Sequence, residues 1–491
     1  MKTTFDIPII SRGRIIEPGP DAIEFAGRAG AKFRCPDPHK HIHDLVLGDT
    51  NRLGDLQDMP MAEILDFLTA IGPRLTLANP YMQEAFELSL QAGGLTEPVL
   101  RSVYSQLPGM FNRKHLEAQI ERTVGIAYLD GWVQQGTGSQ GRFRIRAVGT
   151  RNLHITAGNV PIVGAMTIIR SALTKSDCLI KLPSNDPLSA NAIARTMIDI
   201  DPNHPVTKHV AVAYWKGGDE AMESQICRTS RIDKITAWGG MSSMKHIQKF
   251  LSPGIDLVAL NPKLSMSMVG RETFESKEAM KEAAYGIAVA AGRLNQTACS
   301  NTRVVYVESE TDDESLERVI EFGEEIYNAF QSLPSDISTP APRPDRELEA
   351  ELRALDLEEE MYWVKGDTIK GGVILSRFSD RVEFFDKLNN RIVNLVPMPD
   401  ISQVVRWCDD TTQTVCVYPE RLRKEMRDRL ALAGVQRMVP LRGLMPKSAS
   451  EDSADLPGMP HDGIEPLRRM VRWVIDESVS GVEEPVRRAA E

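Results

Sequence analysis

Residues 157–187 read AGNVPIVGAMTIIRSALTKSDCLIKLPSNDP, and the order of chemistry in them decides the fold. A strand end runs into Gly158-Asn159-Val160-Pro161, and a proline at the first helical position loses no needed N–H there. PIVGAMTIIRSALTKSD then places apolar residues at helical spacing. CLIKLP is a short apolar run of the kind buried in a parallel strand. The rhythm continues downstream: PLSANAIARTMIDI reads as helix, HVAVAYW as strand, DEAMESQICRTS as helix, KITAWGG as strand and MSSMKHIQKFL as helix. Such alternation builds βαβ units and a parallel, doubly wound sheet.

Working outward, residues 59–128 read as mostly helical. GRFRIRAVG alternates Phe143, Ile145 and Ala147 with Arg142, Arg144 and Arg146, a strand pattern. After Gly254 the rhythm restarts. IDLVAL and LSMSMVG read as strands, SKEAMKEAAYGIAVAAGRL as a helix, and GGVILSRF, IVNLVPM and TQTVCVYP as later strands. The expectation is an α/β chain with two tandem doubly wound domains. Residues 1–255 form an N-terminal helical region and a dinucleotide-binding domain. Residues 256–445 form a second, catalytic domain. Residues 446–491 form a flexible polar linker and a closing amphipathic helix in IEPLRRMVRWVIDE.

The chain has 491 residues, too many for one ordinary core. Its net charge of -10 argues against nucleic acid as the main partner, since phosphate backbones call for clustered Lys and Arg. The first residues contain no apolar signal-peptide core, and no apolar run approaches the ~20 residues of a membrane span. A cytoplasmic protein is expected, with Cys35, Cys178, Cys227, Cys299, Cys408 and Cys416 reduced. HKHIH at 39–43 has no partnering Cys or carboxylate motif and reads as a polar loop, so no metal is expected.

Three strand ends carry candidate chemistry. In NQTACSNTRVVYVE, Cys299 sits among small residues just before a buried strand, where backbone N–H groups can face a developing oxyanion. By type alone, a free cysteine is more often a small buried hydrophobe than a nucleophile. Asn159 stands where a strand meets a helix and is either an oxyanion donor or a helix cap. Lys181 ends the next strand, and Gly239-Gly240 opens a helix where a nucleotide can approach the backbone. His461 in PHDG is either an accessory proton-transfer group or part of a turn.

The phrases GNVP, SALTKSDCLIKLPSNDPLSANAIARTMIDIDPNHPVTK, AWGG, ACSNTRVVYVE, LNNRIVNLVPM, TQTVCVYPE and PHDGIEPLRRMVRWV span about 150–475 in order. Together they resemble the aldehyde dehydrogenase superfamily, and within it the LuxC-like acyl-CoA reductases. The resemblance implies that Cys299 is the acyl-accepting nucleophile, with Asn159 and the Cys299 N–H as oxyanion donors. It implies that Lys181 contacts the adenine ribose and that Gly239 and Gly240 lie beside the cofactor phosphates. Where hydrolytic members carry a glutamate in E-L-G-G-K, this chain has Ala259 in ALNPK, which suits a thioester kept from water. NAD-preferring members carry a carboxylate three residues after the lysine. Here Ser184 and then Asn185 stand there, which leaves room for a 2′-phosphate and implies NADPH. The resemblance also implies an oligomerisation β-hairpin near 138–157, a homo-oligomer, an acyl-CoA or acyl-protein substrate and an acyl-protein synthetase partner. The competing readings are an NAD(P)-dependent aldehyde dehydrogenase and a non-catalytic subunit of an acyl-transfer complex.

Overall fold

A computed structural model describes residues 4–27, 30–135, 142–441 and 459–478. Most of the polar linker expected from 446 onward, and the tip of the expected hairpin, lie outside these residues. Two seven-stranded sheets dominate. The first contains β2 (Ile9–Ser11), β3 (Arg14–Ile16), β8 (Arg151–Ile155), β9 (Asp177–Lys181), β10 (Val210–Ala213), β11 (Lys234–Trp238) and β12 (Asp256–Leu260). Their order is β12-β11-β8-β9-β10-β2-β3. Strands β8 to β12 are parallel, and β2 and β3 add antiparallel at one edge. The chain moves from β8 through β9 to β10 on one side, then returns to place β11 on the other side of β8. That reversal is a topological switch point, where ligands bind outside the carboxyl ends of the strands. Gly158-Asn159 follows β8, and Gly239-Gly240 follows β11.

Packing explains why these segments take these forms. All but the last residue of β9 are buried, as a parallel strand covered on both faces requires. The helix Ile162–Leu173 follows Pro161 and buries most of its residues. It meets the helix Ser189–Ile200 so closely that a Cβ on Gly164 would lie 2.8 Å from Ala190 Cβ. The N-terminal helices Met61–Ile71, Pro80–Ala92 and Glu97–Met110 share one continuous core with these two helices.

The second sheet runs β15 (Tyr362–Asp367), β16 (Gly371–Ser376), β17 (Ile392–Met398), β14 (Thr302–Glu308), β13 (Leu264–Val269), β18 (Thr412–Tyr418) and β19 (Arg437–Pro440). Only β15 is antiparallel to its neighbour. Two small sheets complete the fold. One joins β1 (Thr4–Asp6), β5 (Lys32–Cys35) and β4 (Ile23–Ala26); the other joins β20 (Arg472–Ser478), β7 (Arg142–Val148) and β6 (Val133–Gln135).

Several expectations need correcting. The strand Asp256–Leu260, expected to open the second domain, pairs with β11, and the Lys234–Asp256 ion pair at 2.9 Å closes one end. The expected closing helix is only Pro466–Met470; β20 follows it and lies antiparallel to β7. Register explains the change, because Asp476 falls opposite Arg144 and cross-strand pairs of opposite charge favour pairing. The small sheet thus draws on β6, β7 and β20, while β8, the second half of the expected 138–157 hairpin, belongs to the first large sheet. HKHIH is helical rather than a loop, and His39 Nε2 bonds to Asp219 at 2.8 Å.

Candidate active site

Cys299 lies just ahead of β14, and Asn159, past the carboxyl end of β8, reaches its loop. Its loop is built under constraint. The helix Lys277–Gly292 starts at Ser276, whose side chain accepts from Ala279 N–H. After it, Leu294, Asn295 and Gln296 take left-handed backbone conformations with φ of 54°, 51° and 64°. Such conformations cost roughly 1–2 kcal/mol per residue and persist only where surroundings hold them. The holders are buried amides. Gln296 Nε2 donates to Thr302 O and Ile392 O, both at 2.9 Å, while its Oε1 accepts from Ile392 N–H at 2.9 Å. Asn295 Oδ1 accepts from Thr339 N–H and Ser338 Oγ. Asn301 Oδ1 accepts from Ala298 N–H at 2.8 Å, and its Nδ2 reaches back to Ala290 O and Arg293 O. Ser265 Oγ donates to the Cys299 carbonyl at 2.8 Å.

Asn159 comes from the other domain and donates through Nδ2 to Thr297 O at 3.2 Å, two residues from Cys299. The turn before it is braced. A Cβ on Gly158 would lie 2.8 Å from both Asn185 Cγ and Pro183 Cγ, so the Asn185 side chain packs directly on this turn. Lys181 ends β9 with its ammonium 6.0 Å from the Tyr214 ring centre. Burial holds its pKa below that of an ordinary lysine, with Glu223 acting in the opposite sense. Ser184 follows in a half-buried turn. The nearby carboxylate, Asp186, is directed inward to Ser89 Oγ and Ser189 Oγ, away from solvent. Gly239 and Gly240 precede the helix Met241–Gln248, and a Cβ on Gly240 would meet open space.

Two polar neighbours of Cys299 come from outside its loop. Gln413, near the start of β18, donates from Nε2 to Cys299 Sγ at 3.1 Å. The same nitrogen donates to Asp462 Oδ1 at 2.5 Å. Asp462 follows His461, whose ring meets Trp238 edge-on with centroids 5.0 Å apart. The structure therefore brings Asn159, Cys299 and the His461 turn to one place, with Lys181 and the Gly239-Gly240 turn along the same sheet edge. Sequence reasoning missed Gln413. The only signal was a polar residue in a strand otherwise destined for burial. Burial pushes the Cys299 thiol pKa up, and the Asp462 charge adds to this. Gln413, the residue's own N–H and the Arg303 guanidinium oppose it.

A thiol among amide donors, faced by an asparagine across a dinucleotide-type switch point, can accept an acyl group and hold its oxyanion. Comparison with known proteins narrows this. The family model described as acyl-CoA reductase (LuxC) matches residues 56–473. The long-chain acyl-protein thioester reductase of Vibrio harveyi is 26% identical over 483 residues, covering 96% of this chain and 93% of that protein. The enzyme of the same name from Aliivibrio fischeri is 28% identical over 332 residues, 66% of this chain and 64% of that one. Among solved structures, aldehyde dehydrogenase 21 from Physcomitrella patens superimposes with a TM-score of 0.70 at 12% identity, covering 98% of this chain and 100% of that one. The NADP-dependent glyceraldehyde-3-phosphate dehydrogenase of Bacillus halodurans gives 0.69 at 14% identity, covering 96% and 99%. The chain belongs to the LuxC family of acyl-CoA reductases, aldehyde-forming oxidoreductases, and it carries the aldehyde dehydrogenase fold.

Proposed function

We propose that this protein reduces a long-chain acyl thioester, carried on coenzyme A or on a protein, to an aldehyde through an acyl group held on Cys299. The observation that carries the reading is the reach of Asn159 across the domain boundary to the Cys299 loop. An asparagine amide has two N–H donors. The bond to Thr297 O engages one, which leaves the other for a substrate oxygen.

The Cys299 thiolate attacks the thioester carbonyl. A sulfur–carbon bond forms, the bond to the carrier sulfur breaks, and the carrier thiolate leaves and takes up a proton. Asn159 Nδ2 and the Cys299 N–H hold the carbonyl oxygen as charge develops, each such donor contributing roughly 3 kcal/mol to the barrier reduction. Ala259 lies in β12 where a water-activating glutamate stands in hydrolytic relatives, so the acyl group is kept for reduction. A nicotinamide cofactor fits the first sheet. Lys181 and Ser184 would hold its adenosine half, and the open face at Gly240 admits its phosphates. When bound, it would supply the hydride that takes the acyl carbon to the aldehyde level, and the carbon–sulfur bond to Cys299 then breaks to release the aldehyde and return the thiolate. The inward direction of Asp186, together with Ser184 and Asn185, supports NADPH, because no carboxylate of that turn opposes a 2′-phosphate. Trp473 and Ile475 stand partly exposed on β20 and support assembly of copies through the small sheet.

The test is NADPH consumption by the purified protein with a long-chain acyl-CoA, and with the same acyl group on a carrier protein, beside Cys299→Ala. Aldehyde formed by wild type alone establishes the reading. Consumption that survives in Cys299→Ala, or no acyl group on Cys299 after either donor, would overturn it. The Lys181→Met variant should raise the KM for NADPH while acylation of Cys299 proceeds unchanged.

A further inference from the structure

The segment His461–Ile464 is a tight turn whose ends bond to each other, His461 N–H to Ile464 O at 2.8 Å and Ile464 N–H to His461 O at 3.1 Å. Its central residues, Asp462 and Gly463, have φ of 50° and 77°. Positive φ at both positions is a type I′ turn, which Asp-Gly suits well. The turn tip enters the cleft between the two domains. His461 rests against Trp238 of the first domain, and Asp462 reaches Gln413 of the second. The Asp462 side chain is only 5% exposed.

A glutamine amide has two ends of nearly equal shape and opposite polarity. Turned one way, it offers Cys299 a donor; turned the other, an oxygen that repels a thiolate. A carboxylate can only accept, so the Asp462 side chain selects the NH2 end, and the second hydrogen of that group falls to Cys299 Sγ. We propose that Asp462 is a positioning residue that fixes Gln413 nitrogen-first against Cys299, and that Gln413 is a further catalytic residue through its contact with the reacting sulfur. The inference rests on Cys299 being the nucleophile and is independent of which thioester it accepts.

The test uses the full-length protein and the pH dependence of Cys299 alkylation by iodoacetamide, followed by mass spectrometry of the Cys299 peptide. The charged groups facing the sulfur are Asp462 from the turn and Arg303 from β14, with His461 beside Asp462. Asp462→Gly removes both the charge and the acceptor and tolerates the left-handed backbone. In a Gln413→Leu background it removes the charge alone, and Cys299 should alkylate faster near pH 7.5. With Gln413 present the same substitution also frees the amide to turn its oxygen toward the sulfur, so the acceleration should be about tenfold smaller, equivalent to about one unit in apparent thiol pKa. Equal accelerations in the two backgrounds overturn the proposal. If the expected pattern appears in a protein that reduces no acyl thioester, the substrate reading fails and the positioning role stands.

Discussion

Replacing Gln296 by alanine should destabilise the catalytic domain by about 3 kcal/mol. The side chain is 1% exposed and makes three bonds of 2.9 Å. Each buried neutral hydrogen bond contributes a net ~1 kcal/mol, and an orphaned buried partner costs roughly 1–3 kcal/mol. Ile392 N–H keeps a second acceptor, Asn389 O at 3.1 Å, so the loss falls chiefly on the two carbonyls. Backbone strain gives a second handle. Gln296 has φ of 64°, and glycine there removes the left-handed penalty that alanine retains. Gln296→Gly should therefore be about 1 kcal/mol less destabilising than Gln296→Ala. The assay is urea unfolding followed by tryptophan fluorescence, with Gln331→Ala as control, since Gln331 also bonds two carbonyls but on the exposed surface. Alkylation of Cys299 should slow in step with the loss. A Gln296→Ala protein within about 0.5 kcal/mol of the control would refute the claim that this amide clamps the loop.

Three further outcomes follow from the same geometry. Burial disfavours the charged form of His209, yet its bonds to Asp177 and Asp55 prevail and raise its pKa to about 9. A raised pKa contributes stability that is present in full below the usual value near 6.5 and lost as pH rises through about 9. The melting-temperature gap between wild type and His209→Gln should accordingly narrow from pH 7 to pH 10; a gap constant with pH would contradict this assignment. Gly158→Ala should displace the Asn159 turn, because Pro183 cannot yield easily. Acyl transfer to Cys299 should fall about tenfold or more, read by single-turnover acylation. Asn159→Ala should lower kcat by about 100-fold or more with a smaller change in acyl-CoA KM, and a raised KM with kcat unchanged would show a binding role only.

Much of this was legible in the sequence because parallel strands have a strong local signature. CLIKLP and HVAVAYW are continuous apolar runs bounded by helices, and their burial demands no knowledge of distant residues. Cys299 and Asn159 stood out as candidates because both sit at turns where strand chemistry changes abruptly. What sequence reading missed depends on pairing. Val471, Val474 and Ile475 fit a helical stripe as well as a strand, and only the register against β7 decides between them. Residues 256–260 look like the start of a new domain until Lys234 is found opposite Asp256. Ile9–Ser11 and Arg14–Ile16 are too short to announce themselves, and β10 supplies the template that makes them strands. Gln413 is silent for a similar reason, since its meaning comes from a cysteine and an aspartate that are distant in the chain.

The turn at Asp462 has a consequence for shortened forms of the protein. A chain interrupted after Leu441 contains every strand of both seven-stranded sheets, yet it lacks the anchor for Gln413 and the strand that completes the small sheet. Tail deletions should then weaken the core of the first domain, which loses the buried Leu467, Met470 and Val471, and should also slow alkylation of Cys299. On the role proposed for Asp462, a nonsense allele or a clipped preparation would lose reactivity at a cysteine far upstream in the chain as well as part of its core.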